Sequence, residues 1–250
     1  MSLLSLSFFG ILQGITEFLP VSSSGHLLFV RSLFASYNQP LLTDIILHTG
    51  SLVAIIYFFK DSLKKNFSKL IKPLLISVIP AGLVGFLMLD QIESLFISPK
   101  FLFFSFSITT LILLAFNQLK WKKVTIGKID NKKALGIGLF QALALVPGIS
   151  RSASTIFASK LMGLDSTASF SFAFLMAIPA ILGSMLLSLL KLNVSSINLQ
   201  PGILLTVFLS SFIASLLALK ILQKILQNKT LRNFAVYTAA MAGISLALFY

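Results

Sequence analysis

A chain of 250 residues that is 56% hydrophobic and 11% charged, with a mean hydropathy of +0.96, is not an ordinary soluble domain. Its net charge of +13 would suggest nucleic acid in a soluble protein, but most lysines lie in short segments between apolar runs of about 17 to 22 residues, as the positive-inside rule expects. There is no cysteine, which excludes disulfides and thiolate metal sites. Runs of that length can cross a hydrocarbon core of roughly 30 Å, so the class predicted is a polytopic all-α membrane protein.

The first element is Gln13-Gly-Ile-Thr-Glu-Phe-Leu-Pro-Val-Ser-Ser-Ser-Gly-His26. Gln13 and Glu17 are four apart and share one helix face, Pro20 breaks that helix, and Ser22, Ser23 and Ser24 are the residue type that caps the next. A charged side chain at the bilayer centre costs roughly 2.5 to 3.5 kcal/mol, so Glu17 needs a cation or water. The start is not expected to be a cleaved signal peptide, because its first basic residue is Arg31 and Gln13 and Glu17 interrupt the apolar stretch. Arg31 to Pro40 reads as a polar loop and Thr43 to Lys60 as a span. The loop holding Lys60, Lys64, Lys65, Lys69 and Lys72 reads as cytoplasmic. Spans follow at about Pro73 to Leu89 and Phe101 to Leu119, separated by an external segment with Asp90, Glu93 and Lys100, and Lys120 to Lys133 returns to the cytoplasm.

The opening pattern then recurs. Gly10-Ile-Leu-Gln13 is answered by Gly138-Leu-Phe-Gln141, and Pro20-Val-Ser-Ser-Ser24 by Pro147-Gly-Ile-Ser-Arg-Ser152. Further spans are expected at about Thr167 to Leu190, Gly202 to Leu222 and Leu231 to Tyr250. One integral membrane domain with two repeats, about 1–125 and 126–250, follows. If each half is one re-entrant helical hairpin plus three transmembrane helices, the odd number of crossings inverts the second copy. Lone Lys191 then lies outside, Lys220, Lys224, Lys229 and Arg232 inside, and both termini face out. Two hairpins entering from opposite faces satisfy their broken backbones by meeting, and their helix N-termini, at Ser22 to Ser24 and Gly148 to Ser152, form an anion site.

Arg151 offers the fork that suits a phosphate, although it could simply pair with Glu17. His26 stands three residues after Ser23, where an imidazole could activate a hydroxyl, protonate a leaving group, attack phosphorus itself, or sit idle at a helix end. Asp44 and His48 are read as structural, with Asp44 favouring a helix dipole. Gly10 and Gly14 read as close helix packing, the 24 phenylalanines as lipid-facing or core side chains, and Glu93 with the lysine clusters as solvated loops.

These two motifs, Gln13 to His26 and Pro147-Gly-Ile-Ser-Arg-Ser-Ala-Ser-Thr155, resemble those of the bacterial undecaprenyl pyrophosphate phosphatase family, also called the bacitracin-resistance protein family. The resemblance covers essentially the whole chain. It implies a phosphatase that converts undecaprenyl pyrophosphate to undecaprenyl phosphate and inorganic phosphate, recycling the lipid carrier for peptidoglycan synthesis and conferring bacitracin resistance. It places a multi-pass protein in the cytoplasmic membrane with its active site toward the outer face. It implies a divalent cation, Mg2+ or Ca2+, with Glu17 as the candidate metal ligand. Catalytic candidates carried over by position are Glu17, Ser23, His26 and Arg151, and the nucleophile stays open between Ser23, His26 and water. Substrate-binding candidates are Gln13, Ser22, Ser24, Gly25, Gly148, Ser150, Ser152 and Thr155. Partners are a polyprenyl pyrophosphate lipid and the bilayer, with no nucleic acid; a homodimer is compatible with the reading. Gln13 stands where many members carry a second glutamate, which weakens metal coordination by protein, and Ala153 stands where the family usually has glycine. The alternative is a polyprenyl-phosphate flippase or other inverted-repeat transporter. The phosphatidic-acid phosphatase superfamily is set aside, because no second histidine follows His48.

Overall fold

The computed structural model describes residues 3–33, 41–95, 98–192, 201–227 and 230–250, and they form helices with no β-strand among them. The helices are α1 Leu3–Phe18, α2 Ser23–Leu33, α3 Leu41–Phe58, α4 Lys60–Leu87, α5 Leu89–Leu95, α6 Phe101–Gln118, α7 Asn131–Leu143, α8 Arg151–Leu161, α9 Ser166–Leu175, α10 Ala177–Lys191, α11 Pro201–Gln227 and α12 Arg232–Phe249. Among the described residues six stretches are long and apolar enough to cross a membrane: Leu41–Phe58, Ser68–Leu87, Phe101–Gln118, Ser166–Lys191, Pro201–Gln227 and Arg232–Phe249. This is a multi-pass α-helical membrane protein.

Three expected boundaries moved. Lys60 to Lys72, expected as a loop, is the start of α4, a helix of 28 residues. Lysine has good helix propensity, and Leu70 and Leu74, four apart, bury one face of this segment. The span expected near 167–190 is broken at Met176 into α9 and α10. Pro179 has no N–H for the carbonyl of Leu175 and its ring crowds that carbonyl, which accounts for the interruption there. Arg31 belongs to the last turn of α2 rather than to a loop. The remainder of that expected loop, 34–40, and Lys229 lie outside the described residues.

Packing follows the exchange of small residues rather than bulk hydrophobicity, because lipid offers apolar surfaces as good as another helix. The long helices pair α1 with α11, α7 with α4, α6 with α12 and α3 with α11. A methyl on Gly10 would stand 1.9 Å from Ser210 Oγ, and one on Gly138 would stand 2.3 Å from the Ser77 carbonyl oxygen. Between α3 and α11, Ser211 donates to the Leu47 carbonyl at 2.7 Å and Ser215 to Ser51 at 3.1 Å. Bonds of this kind are worth about 0.6 kcal/mol each on average within a membrane, so they set register more than they set stability. Phe18, Ile55, Phe116, Ile156, Phe172, Phe174 and Leu222 form the main core under the two short helix pairs, α1–α2 and α7–α8. Phe86 and Leu190, by contrast, face outward at 78% and 77% exposure.

Candidate active site

α1 stops at Phe18 because Pro20 cannot donate to the carbonyl of Thr16 and biases Leu19 away from the helical region. The turn passes through Ser22 at φ +72°, a left-handed conformation that costs an L-residue about 1–2 kcal/mol. Ser22 Oγ then accepts from Gly25 N at 3.3 Å and its carbonyl from His26 N at 3.2 Å, so Ser22 starts α2. The second break is built the same way. α7 winds down through tight bonds ahead of Pro147, Gly148 takes φ +95°, and Ser150 Oγ accepts from Ala153 N at 3.2 Å to cap α8. Thr109 on α6 clamps this turn, donating to the Gly148 carbonyl at 2.9 Å and accepting from Ser150 N at 3.0 Å.

The two turns touch. A methyl on Gly25 would lie 2.8 Å from Gly148 Cα, so only glycine lets the backbones approach this closely. Ser152 reaches across to donate to the Leu19 carbonyl at 3.1 Å. At the junction Arg151 Nη2 donates to Glu17 Oε1 at 2.5 Å, with both side chains largely buried. Glu17 Oε2 accepts from Ser23 Oγ at 2.6 Å and from Gln13 Nε2 at 3.0 Å. One carboxylate is thus held by a guanidinium from α8, a hydroxyl from α2 and an amide from its own helix. Arg151 Nη1 is closed off and has no partner among the described residues.

The remaining expected residues fall in different places. Ser24 lies 3.3 Å from Ser22 Oγ and lines a pocket with Leu27, Leu28, Arg31, Asp44 and His48. Ser150 is buried as the cap of α8, and the Thr155 hydroxyl is spent on the Arg151 carbonyl at 2.8 Å. His26 does not meet Ser23. Its Nδ1–H donates to the Ser22 carbonyl at 2.7 Å, which leaves Nε2 to accept from Tyr237 Oη at 2.7 Å in the neutral ring. The imidazole lies parallel to the Tyr237 ring at 5.6 Å and edge-on to Phe106 at 5.4 Å.

Two side chains escaped the sequence reading. Tyr237 comes from α12, some 200 residues away, and nothing near it in sequence marks it. His48 Nδ1 sits 3.1 Å from Gln13 Nε2, which brings α3 to the site, and Asp44 pairs with Arg31 across the pocket instead of merely flanking a helix end. The signal was present: Asp44 and His48 are the acidic and the imidazole side chain of an otherwise largely apolar run.

Among the described residues no three His, Asp or Glu side chains gather as a metal cage. Glu17 is the one carboxylate at the junction, and the buried Gln13 Oε1 has no partner among the described residues. The Gln13 amide turns its nitrogen toward Glu17, so a cation held at Glu17 would take its other ligands from elsewhere.

A family model described as Bacitracin resistance protein BacA matches residues 6–244. The chain belongs to the BacA family. Curated relatives named undecaprenyl-diphosphatase include one from Thermosipho africanus, 40% identical over 213 residues that cover 80% of this chain and 84% of the relative. Another, from Thermosipho melanesiensis, is 37% identical over 209 residues, covering 80% and 83%. A third, from Methanobrevibacter smithii, is 35% identical over 215 residues, covering 76% and 77%. The BacA match takes in both broken helix pairs and all four residues at the Glu17 junction.

Proposed function

We propose that this BacA-family protein is an undecaprenyl pyrophosphate phosphatase that releases the terminal phosphate and returns undecaprenyl phosphate to cell-wall synthesis. The observation that carries the reading is the Arg151–Glu17–Ser23 array, with a buried unpaired guanidinium nitrogen beside a hydroxyl already bonded to a carboxylate. Nucleophile, base and the groups that orient the base are within hydrogen-bond reach, which is the arrangement acyl- and phosphoryl-transfer sites share.

In this reading the terminal phosphate binds Arg151 Nη1 and the N–H groups heading α2 and α8, whose dipoles favour the anion. Ser23 Oγ attacks phosphorus and gives its proton to Glu17, and as the bond to the bridging oxygen breaks Glu17 passes that proton to the leaving oxygen, releasing undecaprenyl phosphate and restoring the carboxylate. Water, deprotonated by Glu17, then hydrolyses the phosphoserine to inorganic phosphate. His26 and Tyr237 hold the start of α2 rather than the reacting atoms. Glu17 would hold a divalent cation, Mg2+ or Ca2+, with phosphate oxygens completing its shell. The chemistry such an ion supplies is neutralisation of charge on the phosphoryl oxygens.

The architecture proposed is an inverted repeat in which α1–α2 enters from outside and α7–α8 from the cytoplasm. It is supported by the matched caps at Ser22 and Ser150, by the reciprocal pairing of α1 with α11 and α7 with α4, and by the lysines of the expected inner loops. Both termini and the active site then face outward.

The test is phosphate release from farnesyl or undecaprenyl pyrophosphate by the purified protein, with and without EDTA. Ser23→Ala is expected to remove at least about 100-fold of the rate, and EDTA most of it. An unaffected Ser23→Ala protein would move the nucleophile to water, and no release under any condition would leave lipid transport as the better reading.

A further inference from the structure

We infer that His48 is a further substrate-binding residue, whose Nε2–H donates to a phosphate oxygen of the pyrophosphate held beside Glu17. The inference rests on the phosphatase reading above.

Glu17 is ion-paired with Arg151 and therefore an acceptor, so the Gln13 nitrogen, not its oxygen, must face it. That nitrogen is 3.1 Å from His48 Nδ1, and an amide nitrogen only donates, so Nδ1 must accept. A neutral imidazole that accepts at Nδ1 carries its proton on Nε2. His48 lines the pocket shared with Ser24 and Arg31, and Nε2 has no partner among the described residues, nor is it one of the closed-off polar atoms. Gln13 thus fixes the tautomer, and the ring presents a donor to the pocket lined by Ser24, Arg31 and Asp44, with the Gln13 amide as its link to Glu17.

Charge gives the donor a purpose. Glu17 offsets part of the Arg151 charge, and Asp44 part of the Arg31 charge, so a multiply charged pyrophosphate gains from further N–H donors beside Arg151. His48 supplies one from α3. The groups facing it are Gln13 and Glu17 of α1 and Ser24 and Arg31 of α2, with Asp44 on its own helix.

Two substitutions separate this role from a structural bond to Gln13. A glutamine amide reaches about as far as Nε2 and an asparagine amide about as far as Nδ1. His48→Asn keeps the Gln13 contact and loses the pocket donor, and it should lower kcat/KM for farnesyl pyrophosphate by about 10- to 100-fold. His48→Gln keeps the pocket donor, and it should recover most of that loss. If His48→Asn does not purify, His48→Ala replaces it with the same expectation. The reverse order, equal losses in both, or no loss in either overturns the inference. A wild-type protein that releases no phosphate brings down the phosphatase reading as well, whereas an active wild type with the wrong order of variants sinks only this one.

Discussion

Between α1 and α2 the backbone turns through Ser22 at φ +72°, and between α7 and α8 through Gly148 at φ +95°. In both places a serine then caps the next helix through the amide three residues on, and a second serine hydroxyl stands at 3.3 Å from Ser22 and 3.2 Å from Ser150. At the matching sequence interval, however, Glu17 is answered by Leu145, Ser23 by Arg151 and His26 by Ser154. Gln13 is bonded to Glu17 and His48, whereas both amide atoms of the equally buried Gln141 have no partner among the described residues. Two broken helix pairs of similar build bring two helix starts together. The chemistry comes from the difference, because a carboxylate from one copy and a guanidinium from the other can coexist in a bilayer only as a pair.

The strongest way to break the comparison is to make the first pair like the second. Glu17→Leu, which copies Leu145, leaves the Arg151 guanidinium buried without its counter-charge and is expected to cut phosphate release by about 1,000-fold or more. Arg151→Ala should match it, and an active Arg151→Ala protein would remove the site. Next comes the contact between the turns. Gly25→Ala places a methyl 2.8 Å from Gly148 Cα and 2.9 Å from Phe106 Cζ, with an expected cost of about 1–3 kcal/mol. Ala153→Gly at the matching position of α8 should cost about 1 kcal/mol or less, and thermal unfolding in detergent compares the two.

A finer contrast lies in the caps. Ser22→Gly relieves a left-handed L-residue and should hold or raise the unfolding temperature, whereas Ser150→Gly, at φ −74°, should lower it. The smallest effect belongs to Asp130, which caps α7. Hydrogen bonds from the Lys133 ammonium and amide hold its carboxyl below the ordinary range. A carboxyl depressed in the folded state stabilises above its unfolded pKa, and that contribution fades as pH falls through the folded value. Asp130→Asn should therefore narrow the difference in unfolding temperature between neutral and acidic pH, slightly, since the group is exposed.

Much of this was legible in the chain. The six spans stand out because each is a long apolar run, and Gln13, Glu17, Ser23 and Arg151 stand out because polar side chains next to prolines in such a chain need a reason. What the sequence left open is what depends on distant helices. Ser23 and His26 share a helix face by spacing, yet one turns to Glu17 and the other to Tyr237, a choice made by α12 packing over α6. His48 belongs to the site because α3 lies against α1 and α11, and spacing alone reads it as one more polar residue on a span. The break at Met176 was readable from Pro179, but proline also occurs inside α4 at Pro73 and Pro80 without ending that helix.

The contact of Gly25 with Gly148 bears on what can pass through the molecule. Where two backbones approach too closely to admit a methyl group, there is no room for a water molecule between them. In the proposed inverted arrangement that contact is the seal between the outer and inner halves of the membrane. A polar, hydrated site can then open to one side without letting protons or ions leak to the other, and any movement of lipid phosphate across the protein would first have to part these two glycines.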